Sequence, residues 1–269
     1  MKDRGRRYLM KPGKSVRLAD IDPGDTAPFA DKDEARERLQ EDSAAIDELQ
    51  NRLYAERKRA LLVVLQGMDT SGKDGTIRAV FGATGPMGVT VTAFSRPTEE
   101  ELAHDFIWRV HRACPRRGTI GIFNRSHYED VLVGRVLGLA EPDVIEHRYD
   151  QINAFEDLIS SSTRVVKIML HISKEEQRKR LRARLDDPEK HWKFDPGDLE
   201  DRRRWDAYMD AYETVIARCS TKRAPWYVIP SDHKWSRNAA VASIVRTALE
   251  AMKPGYPDAD WSKIDPDFD

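Results

Sequence analysis

Apolar positions along the 269-residue chain follow two different periods, one suited to strands and one to helices. The run Ala60–Leu65 (ALLVVL) is continuously apolar, with charge on one side and Gly67 on the other. Such a run suits a central parallel strand buried on both faces. Further strands are expected at Val89–Phe94, Thr119–Phe123, Val165–Ile172 and Trp226–Ile229. Helices are expected between them, at Gly75–Phe81, Glu99–Arg112, within Asp143–Leu158, at Lys174–Leu185, from about Leu199 to Arg218, and at Arg237–Met252. Ser173 and Glu176 fit a capping box that opens the helix at Lys174. Ahead of the first strand, Asp31–Arg59 is helical in pattern, with Leu39, Ile46, Leu49 and Leu53 on one face. This helix is expected to pack on the main domain or on a second subunit. Residues 1–30 are rich in Pro, Gly, Asp and basic residues and read as an extended arm. Strands alternating with helices imply an α/β doubly wound parallel sheet that binds ligands at the C-terminal ends of its strands.

Composition narrows the class. Hydrophobic residues make up 40% and charged residues 34%, which excludes a membrane-embedded or disordered chain. No apolar run approaches the roughly 18 residues that span a bilayer. The basic start Met1–Met10 has no apolar stretch after it, so no secretory signal is expected. Cys114 and Cys219 lack metal-ligand spacing and fit reduced thiols in the cytoplasm. The net charge of −1 excludes a bulk polycation, and no nucleic-acid or membrane partner is expected. The charges are nevertheless uneven: Arg178–Arg184 (RKRLRAR) holds five cations in seven residues.

Directly after the first strand comes Gly67-Met-Asp-Thr-Ser-Gly72-Lys73-Asp74. Glycines at 67 and 72 permit backbone angles that turn successive N–H groups toward one anion. Gly67, Thr70, Ser71, Gly72, Lys73 and Asp74 are therefore expected to line phosphate, with Lys73 reaching its oxygens and the following helix adding its positive end. Asp74 departs from the usual Ser or Thr, and Asp69 adds a second acid inside the loop. An acid beside phosphates calls for a metal or a cation between them, so Asp69 is expected to hold Mg²⁺ or to orient an incoming phosphate acceptor. The strand Thr119–Phe123 ends at Asn124-Arg-Ser-His-Tyr-Glu-Asp130, where Arg125 is placed to stabilise a transferring phosphoryl group and Glu129 and Asp130 follow one turn on.

These segments together resemble the second family of polyphosphate kinases. The resemblance rests on Gly67–Asp74, Arg96-Pro-Thr, His104-Asp-Phe-Ile-Trp-Arg-Val-His111, Phe123–Val131, His171–Gln177, Asp187–Phe194, Trp205–Tyr208 and Ala224-Pro-Trp226, and it covers about Gly13 to Lys253. It implies a P-loop NTPase-like (thymidylate-kinase-like) fold of about five parallel strands, with helices on both faces and a helical lid. It further implies that inorganic polyphosphate donates a phosphoryl group reversibly to a nucleotide, with Mg²⁺ or Mn²⁺, in a homodimer or homotetramer. Chains with Asn124-Arg-Ser-His-Tyr-Glu-Asp130 look like the subgroup that accepts both nucleoside mono- and diphosphates, AMP and ADP among them.

Under this reading Asp69, Lys73 and Arg125 are the catalytic residues, Asn124 and Glu129 select the acceptor, and Asp69, Glu129 and Asp130 form the metal set. Polyphosphate needs a track of cations. Arg180 and Arg184 share a helical face and are expected to contact it, along with Lys193. The chain divides into an arm and helix (1–59) and a kinase domain (60–269), whose segment 186–205 reads as a lid that excludes water. Trp205, Tyr208, Met209 and Tyr212 recur at helical spacing and are expected to pack the core. The rival readings are a conventional ATP-dependent kinase and a nucleotide-binding regulatory protein without turnover.

Overall fold

The computed structural model describes residues 4–258. An arm with 3-10 turns at Arg4–Tyr8 and Leu18–Asp20 leads into helix α1 (Lys32–Glu56), whose N-terminus is capped by the Asp31 carboxylate on the N–H groups of Asp33 and Glu34. Strand β1 (Ala60–Gln66) then enters the phosphate loop and α2 (Lys73–Phe81). Next come β2 (Val89–Ala93), the short helices α3 (Glu99–Leu102) and α4 (Trp108–Ala113), and β3 (Ile120–Asn124). Helices α5 (Glu129–Val136) and α6 (Pro142–Ile159), strand β4 (Thr163–His171) and α7 (Lys174–Leu185) follow. A turn at Pro188–Lys193, α8 (Gly197–Arg203), α9 (Trp205–Cys219), β5 (Trp226–Pro230) and α10 (Lys234–Met252) complete the chain.

All five strands are parallel, in the order β2-β3-β1-β4-β5, so the phosphate loop springs from the centre of the sheet. Every residue of β1 is buried, and its side chains alternate between two cores. Leu62 and Val64 join Phe123, Tyr149, Ile152, Tyr212 and Ile216 on the face covered by α5, α6 and α9. Leu61, Val63 and Leu65 join Ile46, Leu53, Val241 and Val245 on the face covered by α1, α2 and α10. This alternation is the period-2 geometry of a strand with a hydrophobic layer on each side.

Expected and observed elements differ in three places. The stretch Glu99–Arg112 is broken rather than continuous, because the Asp105 carboxylate accepts the N–H groups of Ile107 (3.0 Å) and Trp108 (3.1 Å) and starts a new helix. The stretch Leu199–Arg218 divides at Arg204, where the chain turns between α8 and α9. Helix α5 was not expected, since eight residues with Val131, Val133, Gly134 and Val136 carry little helical signal of their own. The arm is pinned at several points: Leu18 N–H donates to Glu213 Oε1 at 2.6 Å and Met10 N–H to Trp226 O at 2.9 Å. Helix α1 lies against α10 and α2. Residues 1–3 and 259–269 of the two expected domains lie outside the described residues.

Candidate active site

The loop after β1 takes the shape its glycines permit. Gly67 (φ 147°) and Gly72 (φ 106°) occupy backbone angles that disfavour a side chain. A Cβ on Gly67 would lie 2.7 Å from Leu170 O. Thr70 also has a positive φ (63°) without being glycine. Lys73 is 8% exposed and folds back over the loop, donating to Gly67 O at 2.7 Å and Met68 O at 3.4 Å. Burial and the nearby Arg125 charge lower the Lys73 ammonium, with Asp69, Glu129 and Asp74 opposing them. Thr70 Oγ1 and Ser71 Oγ are buried without a partner among the described residues, so a phosphate would satisfy them.

Asp69 and Arg125 meet at 2.6 Å, and Arg125 reaches Glu129 at 3.6 Å. Arg125, at the end of β3, has φ 63°, and its N–H donates to Leu65 O at 3.0 Å, which ties the motif to the end of β1. Burial pushes the Asp69 carboxyl up, but the charges of Lys73 and Arg125 outweigh it and hold Asp69 below its ordinary value. Glu129 has the opposite outcome: burial raises its carboxyl despite the same two cations. Helix α8 brings Asp198 to this cluster, where its carboxyl is pushed up to about 7 by burial and the Asp69 charge. A small void of about 20 Å³ beside Asp69 is lined by Arg125, Glu129, Asp201, Tyr208 and Tyr212, among others.

The other expected site residues have their own surroundings. Burial raises the Asp130 carboxyl, and the cations acting on it are Arg109, Arg148 and His127, not the Lys73 and Arg125 that act on Glu129. Asp74 is largely exposed and accepts from Asn124 Nδ2 at 2.7 Å, with Lys193 of the lid 3.9 Å away. Arg180, expected to contact phosphate, is engaged by protein groups in this structure. Its guanidinium donates to Glu176 (2.8 Å), Thr70 O (3.0 Å), Ser71 O (3.2 Å), Ser231 O and Asp232 O (both 2.8 Å). All five donors are used, so Arg180 braces the loop from its carbonyl side. Arg184 is likewise engaged, with Asp198 at 3.1 Å and Lys193 O at 3.2 Å.

Three of the seven residues in Asn124–Asp130 are structural. Ser126, His127 and Tyr128 are fully buried. Tyr128 Oη donates to Glu156 Oε1 at 2.8 Å, and His127 Nε2 lies 3.2 Å from the same oxygen. Lys167 Nζ completes the network with Glu156 Oε2 (2.5 Å), Tyr128 Oη (2.8 Å) and Cys219 O (2.6 Å). These buried bonds hold the motif so that Arg125 and Glu129 face the loop.

Tyr208, Tyr212, Asp198 and Asp201 were not expected at the site. The two tyrosines do pack the core, at 4% and 3% exposure, yet they also line the void beside Asp69. Their i, i+4 spacing marked a buried face but not what lay beyond it.

A parallel sheet whose central strand feeds a lysine-bearing, glycine-kinked loop into a helix, with an arginine following the neighbouring strand beside it, defines a P-loop kinase. The model for the family described as Polyphosphate kinase 2 (PPK2) matches residues 29–257. An AMP/ADP-polyphosphate phosphotransferase of Meiothermus ruber is 50% identical over 254 residues, 94% of this chain and 95% of that protein. An ADP-polyphosphate phosphotransferase of Rhodopseudomonas palustris is 40% identical over 276 residues, 96% and 94% of the two chains. The crystal structure of polyphosphate kinase 2 from Arthrobacter aurescens superposes with a TM-score of 0.90 at 45% identity, covering 93% of this chain and 91% of that one. The chain belongs to the polyphosphate kinase 2 family and is a phosphotransferase. Among the described residues no helix is long and apolar enough to cross a membrane.

Proposed function

We propose that the protein transfers the terminal phosphoryl group of inorganic polyphosphate to nucleoside mono- and diphosphates, converting AMP to ADP and ADP to ATP, reversibly and with Mg²⁺ or Mn²⁺. The observation that carries this reading is the Asp69–Arg125 pair at 2.6 Å, flanked by Glu129 and by Lys73 in the phosphate loop. Near-full-length identity of 50% to a protein named for AMP/ADP and polyphosphate supports the choice of donor and acceptors.

In this mechanism the terminal donor phosphate lies in the loop from Gly67 to Lys73, held by backbone N–H groups, the Thr70 and Ser71 hydroxyls and the Lys73 ammonium. An acceptor phosphate oxygen forms the new P–O bond while the bridging P–O bond of the donor breaks, and the donor chain leaves one phosphate shorter. The acceptor oxygen is already ionised, so there is no proton for Asp69 to remove, and Asp69 would orient it through a cation between them, Arg125 or the metal. Lys73 and Arg125 stabilise the charge on the transferring group. Among the described residues no three His, Cys, Asp or Glu side chains converge on one metal position. The carboxylates of Asp69 and Glu129 fit a hard divalent cation that completes its shell with phosphate oxygens. When bound, such an ion neutralises phosphate charge and polarises the bond that breaks. Asn124, through its bond to Asp74, and Glu129 are the residues proposed to select the acceptor.

The segment 186–205 acts as the lid, residues 1–59 as an arm and packing helix, and the protein works in the cytoplasm as a homo-oligomer. The test is incubation with Mg²⁺, long-chain polyphosphate and AMP, ADP, GMP or GDP, followed by product analysis. Formation of ADP and ATP is expected. Lys73→Ala is expected to lower the rate by about 10²–10³-fold. Absence of polyphosphate-dependent product, or product only with ATP as donor, overturns the reading.

A further inference from the structure

Several buried charges among the described residues have an opposite charge beside them. Asp42 has Arg38 and Arg246, Glu156 has Lys167, and Asp198 has Arg184. Arg237, at the first turn of α10, differs. It is 2% exposed, and its Nη1 donates to Ser71 O at 2.8 Å. Its Nε (3.1 Å) and Nη2 (2.9 Å) both donate to Asn238 Oδ1, a neutral acceptor. No carboxylate pairs with it among the described residues, and the charge that acts on it is a like one, Arg180. Burial and that repulsion lower the guanidinium to about 9. A cation buried without an anion costs stability, so its retention calls for a counter-ion that arrives with a ligand.

The position identifies that ligand. Gly72 lies so close that a Cβ would overlap the Arg237 guanidinium, which gives this glycine a second reason beyond its positive φ. Ser71 C=O and Gly72 N–H belong to one trans peptide and point opposite ways. Gripping the carbonyl from behind turns the Gly72 N–H away from Arg237. The guanidinium thus stands one peptide behind the phosphate loop, where a charge is felt strongly through low-dielectric protein.

We propose that Arg237 is a positioning residue whose unneutralised charge is the fixed counter-charge of the donor phosphate, kept available because Asn rather than Asp stands at 238. The proposal rests on the loop being the donor site. Asn238→Asp is close to isosteric, can accept the same bonds from Arg237 and from Thr76 Oγ1 (3.3 Å), and cancels the charge in place. Calorimetric binding of inorganic tripolyphosphate is expected to weaken about tenfold or more, with the donor KM rising in step and the melting temperature not lowered. The acceptor KM stays within about twofold. Arg237→Lys retains the charge and is expected to lose less donor affinity than Arg237→Gln. Wild-type donor affinity in Asn238→Asp, or equal losses in the Lys and Gln variants, overturns the proposal. Because tripolyphosphate binding is read without turnover, it tests Arg237 separately from the wild-type product assay that tests the reaction.

Discussion

Lys167→Met removes the cation at the centre of the buried network and leaves most of the side-chain volume in place. Lys167 is 0% exposed, and all three of its ammonium protons are used, on Glu156, Tyr128 and Cys219 O. After the substitution Glu156, itself 1% exposed, retains only the Tyr128 hydroxyl and the His127 ring as partners. A unit charge pair in contact is worth about 4 kcal/mol at an effective dielectric constant near 20. Breaking such a buried pair costs about 3–5 kcal/mol because the surviving charge is stranded. For a chain of this size that corresponds to a fall in melting temperature of roughly 6–15 °C, measured by calorimetry at neutral pH. The pH dependence gives a second signature. In the wild type, burial works against the Glu156 carboxylate, but Lys167 and His127 hold its pKa below the ordinary value. The ion pair therefore contributes stability above the unfolded carboxylate value, and that contribution is lost as pH falls toward the folded value. In Lys167→Met the stranded carboxyl protonates more readily, so the gap between variant and wild type narrows on acidification. Adding Glu156→Gln recovers part of the loss at neutral pH by replacing a stranded ion with an amide. A Lys167→Met variant that melts within about 1 kcal/mol of the wild type would refute this account of how Arg125 and Glu129 are held.

Three further outcomes follow from other contacts. Gly72→Ala meets both a positive φ of 106° and the Arg237 guanidinium, so a loss of about 1–3 kcal/mol in thermal stability is expected together with loss of polyphosphate turnover; unchanged donor KM would contradict it. Glu129→Gln removes a carboxyl that burial raises beside Arg125, and it should change the AMP-to-ADP preference by more than about fivefold, as read from paired kinetics; an unchanged preference would contradict it. Asp42→Ala strands Arg38 and Arg246, which meet that carboxylate at 3.0 and 2.9 Å, and should cost about 3 kcal/mol and raise hydrogen exchange in α1; unchanged exchange there would show that the apolar contacts suffice.

Much of the fold was legible from local signals. Ala60–Leu65 could be placed as a central strand because a run buried on both sides has no polar residues to alternate with, and β1 is buried throughout. The start of α7 could be read from Ser173, which accepts the Glu176 N–H at 3.0 Å. The α3–α4 break depended on one side chain, Asp105, competing for backbone N–H groups. That competition leaves no trace in periodicity.

The site divides along the same line. Sequence alone marked the candidate loop, its lysine and the arginine after β3, because a phosphate cradle needs glycines, a cation and a helix start in fixed register along one stretch of chain. Only the tertiary structure decided what each remaining charge does. Arg180 and Arg184 lie four residues apart, yet one braces the loop carbonyls and the other holds Asp198. Glu129 and Asp130 are adjacent, yet Arg125 faces the first while Arg109 and Arg148 act on the second. Arg237 comes from the last helix, 166 positions from Ser71, to lie behind the loop. A charge takes its role from the groups that surround it at a few ångströms, and those groups are brought together by folding, not by spacing along the chain.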